Sequence, residues 1–180
     1  MPKRSNPRSL SVLPLDPGQS CLPPDYANYL GACAAVCLEK RHQPGVSLTL
    51  DGDYEDSFLL TWEQLTEQHY RTYADIQEAT EQGAYGVAIL VVREAAGKTV
   101  LERAAKGGGF DFWIGDEEDS ELPFQGLTRL EVSGILEGDD SKIQARTKQK
   151  QSQVARSDGR TPALIAIVEF SRPLARLEQK

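Results

Sequence analysis

Two acidic residues stand on segments whose periodicity can bring them together. In Phe110-Asp111-Phe112-Trp113-Ile114, strand alternation sends Phe110 and Phe112 to one side and Asp111 and Trp113 to the other. In Leu130-Glu131-Val132-Ser133-Gly134, Leu130 and Val132 point one way, while Glu131 and Ser133 point the other together with the preceding Arg129. If these strands pair, Asp111 and Glu131 approach on one face of the sheet. Two convergent carboxylates with a neighbouring backbone carbonyl, here that of Val132, suit Mg²⁺ or Mn²⁺. Such an ion lowers the pKa of a bound water and neutralises charge growing on a phosphodiester, so the chemistry expected is metal-assisted hydrolysis. The plainer alternative makes Asp111 a turn residue beside the glycines and pairs Glu131 with Arg129 or another cation on a solvated sheet face.

The elements that must position these residues follow from apolar spacing and punctuation. Asp75-x-x-Glu78 opens a helix over Ile76 to Ala96, buried through its apolar run Val87 to Val92 and ended by Gly97. Strands are expected over Thr99 to Ala104, Phe110 to Ile114 and Thr128 to Ile135. A glycine turn at Lys106 to Gly109 joins the first two, and an acidic loop at Asp116 to Glu121 leads to the third. Asp139-Asp140-Ser141 caps a helix running to about Ser157, where Asp158-Gly159 ends it. Ala163 to Phe170 is an unbroken apolar run, typical of a strand covered on both faces. The order from Ile76 is therefore helix, strand, strand, strand, helix, strand: an α/β fold with a mixed sheet, spanning 76–180. Ahead of it, 25–75 reads as an addition packed on that core. It holds a helix opened by Pro23-Pro24-Asp25, a hairpin of Val46-Leu48-Leu50 with Phe58-Leu60-Trp62, and a short helix opened by Thr61-x-x-Gln64. Residues 1–24 hold six of the ten prolines and read as a disordered arm.

With these elements in place, the chain resembles the PD-(D/E)XK, or restriction-endonuclease-like, nuclease superfamily over roughly residues 76 to 170. Gly107-Gly108-Gly109-Phe110-Asp111-Phe112-Trp113-Ile114-Gly115 looks like that superfamily's glycine-flanked Asp strand, and Leu130-Glu131-Val132-Ser133-Gly134 looks like its Glu strand. The resemblance implies a metal-dependent DNA phosphodiester hydrolase of the restriction or phage-defence type, with Asp111, Glu131 and the Val132 carbonyl on Mg²⁺ or Mn²⁺. It departs at one position: the family pattern has a Lys two residues after the Glu, and this chain has Ser133. A serine hydroxyl orients water but carries no cation, so another group must supply the charge or the chemistry is lost.

Helical projection at 100° per residue suggests where that group sits. On the helix after the Glu strand, Ile143, Thr147 and Val154 share a narrow sector, Lys150 falls beside it, Arg146 lies somewhat farther out, and Lys148 points well away. Lys150 is the expected compensating cation, with Arg146 second. Lys142, Arg146 and Lys150 are the expected phosphate contacts to DNA. On the earlier helix Glu81 projects with Tyr85, Ala88 and Val92 and faces the sheet as a candidate extra metal carboxylate, better placed than Glu78.

Composition sets the outer bounds. Of 180 residues, 39% are hydrophobic and 26% charged, which excludes a wholly disordered or fibrous chain. No uninterrupted apolar run exceeds seven residues, far below the ~20 of a membrane span. The basic start (Lys3, Arg4, Arg8) is followed by prolines instead of a signal peptide's apolar stretch, and three cysteines suit a reducing compartment, so a cytoplasmic protein is expected. A net charge of −7 argues against nonspecific coating of nucleic acid. That average hides a local −9 over residues 111–140 and a local +5 over residues 141–160. An acidic domain of this size binds DNA modestly alone, so a homodimer or membership of a larger complex is expected.

Other signals fail on inspection. Cys33 and Cys37, with His42 nearby, lack a zinc knuckle and read as small core residues. The sequence from Asp51 imitates an EF-hand but has Asp56 and Trp62 where Gly and Glu are needed. Lys106-Gly-Gly-Gly lacks the ending of a P-loop, and His69 reads as a packed helix residue. Two further readings stay open: a noncatalytic nuclease-like module that binds nucleic acid or a partner, and a small α+β interaction protein.

Overall fold

The computed structural model describes residues 7–18, 20–116, 126–157 and 161–180. Along the chain come β1 (Arg8–Leu13), α1 (Pro24–Glu39), β2 (Val46–Gly52), β3 (Asp56–Trp62), α2 (Glu67–Thr72) and α3 (Ile76–Ala96). Then follow β4 (Lys98–Arg103), β5 (Phe112–Asp116), β6 (Thr128–Ile135), α4 (Asp140–Ser157), β7 (Ala163–Glu169) and β8 (Leu174–Gln179). These strands form one mixed sheet in the order β1-β3-β2-β8-β7-β6-β5-β4, an α/β architecture.

The central strands β6 and β7 are covered on both faces. Leu130 and Val132 of β6 and Leu164, Ala166 and Val168 of β7 join the large apolar cluster that includes the buried faces of α1 and α3. The alternate residues Ile135, Ile165 and Ile167 pack instead with Ile143 and Val154 of α4. Because β6 and β7 are parallel, the chain must cross over between them, and α4 is that crossover. The odd-numbered polar residues of β6 therefore lie beneath α4. On the other face, α3 begins at Asp75, whose Oδ1 accepts from the Gln77 and Glu78 N–H groups, and ends at Gly97 in the left-handed region with φ 63°. Close approaches seat it: a Cβ on Gly83 would lie 2.7 Å from the Ala34 nitrogen of α1, and one on Gly134 would lie 2.3 Å from the Thr80 carbonyl oxygen.

Several expectations are corrected. Residues 8–13, read as part of a disordered arm, form β1, parallel to β3 at the sheet edge, with Leu10 and Val12 buried. The prolines flank this strand instead of interrupting it. Thr61 lies inside β3; the capping box is one turn later, where the Thr66 N–H donates to His69 Nδ1 at 3.1 Å. A strand absent from the sequence reading, β8, pairs with both β7 and β2, so the β2–β3 hairpin continues the main sheet. The acids of the false EF-hand serve this seam: Asp51 makes a two-pronged ion pair with Arg176 at 2.9 and 2.7 Å, and Asp53 accepts from the Gln179 N–H. Asp116 ends β5 and pairs with Lys98; the rest of the expected acidic loop, 117–121, and the helix stop at 158–159 lie outside the described residues.

Candidate active site

The order of the sheet sets β5 beside β6, and Asp111 enters just before β5 begins. Its N–H donates to the Leu130 carbonyl at 2.9 Å, but the next rung is made by its side chain: the Val132 N–H donates to Asp111 Oδ2 at 2.8 Å. The strands diverge here, and the carboxylate fills the gap. The simple alternation expected from Phe110 onward is thereby corrected. Phe112 lies on the α3 face opposite Leu130, whereas Phe110 packs edge-on against Trp113, ring centroids 4.6 Å apart. The other Asp111 oxygen accepts from the Tyr85 hydroxyl of α3 at 2.7 Å. Arg103 lies over the Tyr85 and Phe112 rings, 4.8 and 4.5 Å from their centroids, and 4.0 Å from Asp111 Oδ1. Burial, and then the Asp111 charge, push the Tyr85 phenol upward, so it remains a hydrogen-bond donor.

Glu131 arrives from β6 beneath α4, with only 3% of its side chain exposed. Its Oε1 accepts from Lys150 Nζ at 2.5 Å and from Gln153 Nε2 at 3.1 Å, and it lines one cleft together with Asp111. Burial, and then the neighbouring Asp111 charge, push the Glu131 carboxyl up to about 7 against the opposing pull of Lys150. The solvated sheet face of the plainer reading is not what surrounds it. Arg129 turns away to the Val154 and Thr161 carbonyls, at 3.1 and 2.7 Å. A second buried carboxylate sharpens the comparison. Glu169, wholly inaccessible, accepts from the N–H groups of Gly138, Ser171 and Arg172 and from the Ser171 hydroxyl, and so satisfies a structural turn. Glu131 instead shares its cleft with another acid, Asp111.

One turn before Lys150 on α4, Arg146 donates to the Ser133 Oγ at 2.7 Å. The serine that stands where the resemblance expects a lysine is thus itself met by a guanidinium. Lys150, Arg146, Ser133, Asp111, Tyr85 and Glu81 line a cavity of about 240 Å³. Ile143, Thr147 and Val154 are buried and Lys148 is exposed, as the projection of that helix requires. Lys142 is not brought to the site: its ammonium donates to the Glu137 carbonyl at the start of α4. Glu81 is exposed at the cavity rim, and Glu78 is engaged by the Tyr29 hydroxyl. Among the described residues no three His, Cys, Asp or Glu side chains converge as a metal-holding group; Asp111 and Glu131 are two acids that line one cleft.

Tyr85, Arg103 and Gln153 are partners that sequence reasoning did not single out. Tyr85 carried a usable signal, since it projects on the same helix sector as Glu81; Gln153 lies one turn beyond Lys150 and could be placed only once α4 was known to cover Glu131. Cys33 and Cys37 are core residues, and burial pushes their thiols up to about 12 and about 11. No helix among the described residues is long and apolar enough to cross a membrane. No family model, curated protein or solved structure matches the chain.

Proposed function

We propose that the protein is a metal-dependent DNA phosphodiester hydrolase of restriction-endonuclease-like architecture, of the kind that serves restriction or phage defence. The observation that carries this reading is that Asp111 and Glu131, from the neighbouring strands β5 and β6, line one cleft, with Lys150 held on Glu131. Like charges facing one partly buried cleft cost free energy, and a divalent cation relieves the repulsion. The donor set suits a hard ion: Asp111, Glu131 and the Val132 carbonyl would hold Mg²⁺ or Mn²⁺, with Glu81 near the rim. When bound, such a metal supplies an activated water and charge neutralisation at the phosphodiester. Tyr85 and the Val132 N–H orient Asp111, Gln153 and Lys150 orient Glu131, and the cations of α4 face a phosphate from one side. The helix-strand-strand-strand-helix-strand order of α3 to β7 supports the same reading.

Cleavage of linear, plasmid and single-stranded DNA with Mg²⁺ or Mn²⁺ tests it. Activity is expected to vanish in Asp111→Asn and Glu131→Gln. It should fall by roughly 10²–10³-fold in Lys150→Met, as for loss of a group that stabilises developing charge, and stay unchanged in Lys148→Ala. Absence of metal-dependent cutting by the unaltered chain sinks the proposal. One observation favours a second reading, a noncatalytic nuclease-like binding module: Lys150 already neutralises the carboxylate that the ion needs. Salt-sensitive DNA binding without cleavage identifies that module, and a protein partner recovered in the absence of DNA binding identifies an interaction domain. A homodimer or a larger assembly is proposed as the working form on DNA.

A further inference from the structure

Beside the acidic pair lies a larger cleft, about 630 Å³, that the hydrolytic step does not itself require. Asp111, Glu131 and Lys150 form one end of it. The remainder is built from Arg103, Lys106, Phe110 and the backbone of the glycine turn. Its volume is that of a site for a small organic molecule or one monomer of a polymer. Gly107 and Gly109 take positive φ values of 89° and 79°, and a Cβ on Gly107 would meet nothing within 4 Å, so this side of the cleft is bare backbone. Phe110 is half-buried, with Trp113 packed edge-on at 4.6 Å and the Arg129 guanidinium 6.0 Å from its ring centroid. The cleft therefore combines an anchored aromatic ring with cations on a chain of net charge −7, immediately next to the acids.

We propose that this cleft receives the nucleotide adjoining the scissile phosphate with its base unpaired, so that the protein engages a single strand or a frayed end in preference to intact duplex. An aromatic platform binds a base through its π-face, which is covered by neighbours in a stacked duplex, while the cations track the phosphates. The inference deepens the hydrolase reading, from which it takes only the position of the scissile phosphate; recognition of the unpaired base is a matter of binding.

Fluorescence anisotropy of the full chain with a labelled oligothymidylate and with a duplex of equal length tests it, in EDTA and in Mg²⁺. Tighter binding to the single strand is expected. Phe110→Leu, which keeps an apolar side chain without the ring, should lose roughly tenfold on the single strand and leave the duplex affinity unchanged. Lys106→Ala should reduce the salt slope of single-strand binding by about one. Equal affinity for the two forms, or equal losses on both in Phe110→Leu, overturns the inference. An oligonucleotide bound in a Phe110-dependent way but never cut retains the cleft and removes the hydrolase. Metal-dependent cutting of duplex that ignores Phe110→Leu does the reverse.

Discussion

At the scale of single residues, the two buried glutamates among the described residues are treated differently. Glu169 is surrounded by N–H donors, whereas Glu131 has one ammonium, one amide and an opposing acid. The upward shift of Glu131 has a consequence for stability whose sign is fixed by linkage. Between its ordinary value of 4.5 and about 7, the native chain retains a proton that the unfolded chain has released, so stability falls as pH rises through that window and levels off above it. Glu131→Gln is expected to flatten this slope while Asp111, Lys150 and Arg103 stay in place. Urea midpoints at pH 5, 6, 7 and 8 measure it, and parallel profiles for the two proteins would disprove the assignment. The same variant should be the more stable one at pH 8, which is the usual exchange of stability for function at a charged site.

At the scale of elements, the site depends on the seating of α3 and α4 against β6. Gly83 lets α3 approach α1, and its replacement by Leu places a branched side chain where a Cβ alone would be 2.7 Å from the Ala34 nitrogen. The expected cost is about 3 kcal/mol or more, visible as a lowered denaturant midpoint. The comparison variant Gly45→Ala sits in open space with φ 91° and should cost only about 1 kcal/mol from backbone strain. Equal losses in the two would contradict the crossing described. Elements such as these were legible where local chemistry decides: the Asp75 cap, the Gly97 stop, the eight residues of β6 and the apolar run of β7 follow from side-chain pattern alone. β1 was hidden because proline content outweighed its two alternating apolar residues, and β8 because Arg176 and Glu178 made its alternation read as surface. The pairing of β5 with β6 was expected, but the bond from the Val132 N–H to the Asp111 carboxylate was not, since a side chain replacing a backbone rung leaves no mark on periodicity.

At the scale of the whole molecule, the continuous sheet argues that β1, β2 and β3 unfold together with the site-bearing strands. β2 is hydrogen-bonded to β8, and α1 and α3 share one apolar cluster with β3 and β6. The two tryptophans report on opposite ends of this sheet: Trp62 closes β3, and Trp113 lies in β5. Thermal unfolding followed by fluorescence in Trp62→Phe and in Trp113→Phe should, after correction for each substitution's own effect on calorimetric Tm, give one transition for both probes. Separate transitions would restore an independent N-terminal addition.

The rung supplied by the Asp111 side chain makes the acid proposed to hold the metal ion also a fastening of the sheet. Truncating it to alanine unpicks the end of a strand as well as discharging the pocket, and a dead enzyme so obtained would not say which loss mattered. Asparagine offers a neutral oxygen to the same N–H and keeps the seam closed, while its amide nitrogen replaces the oxygen that accepts from Tyr85.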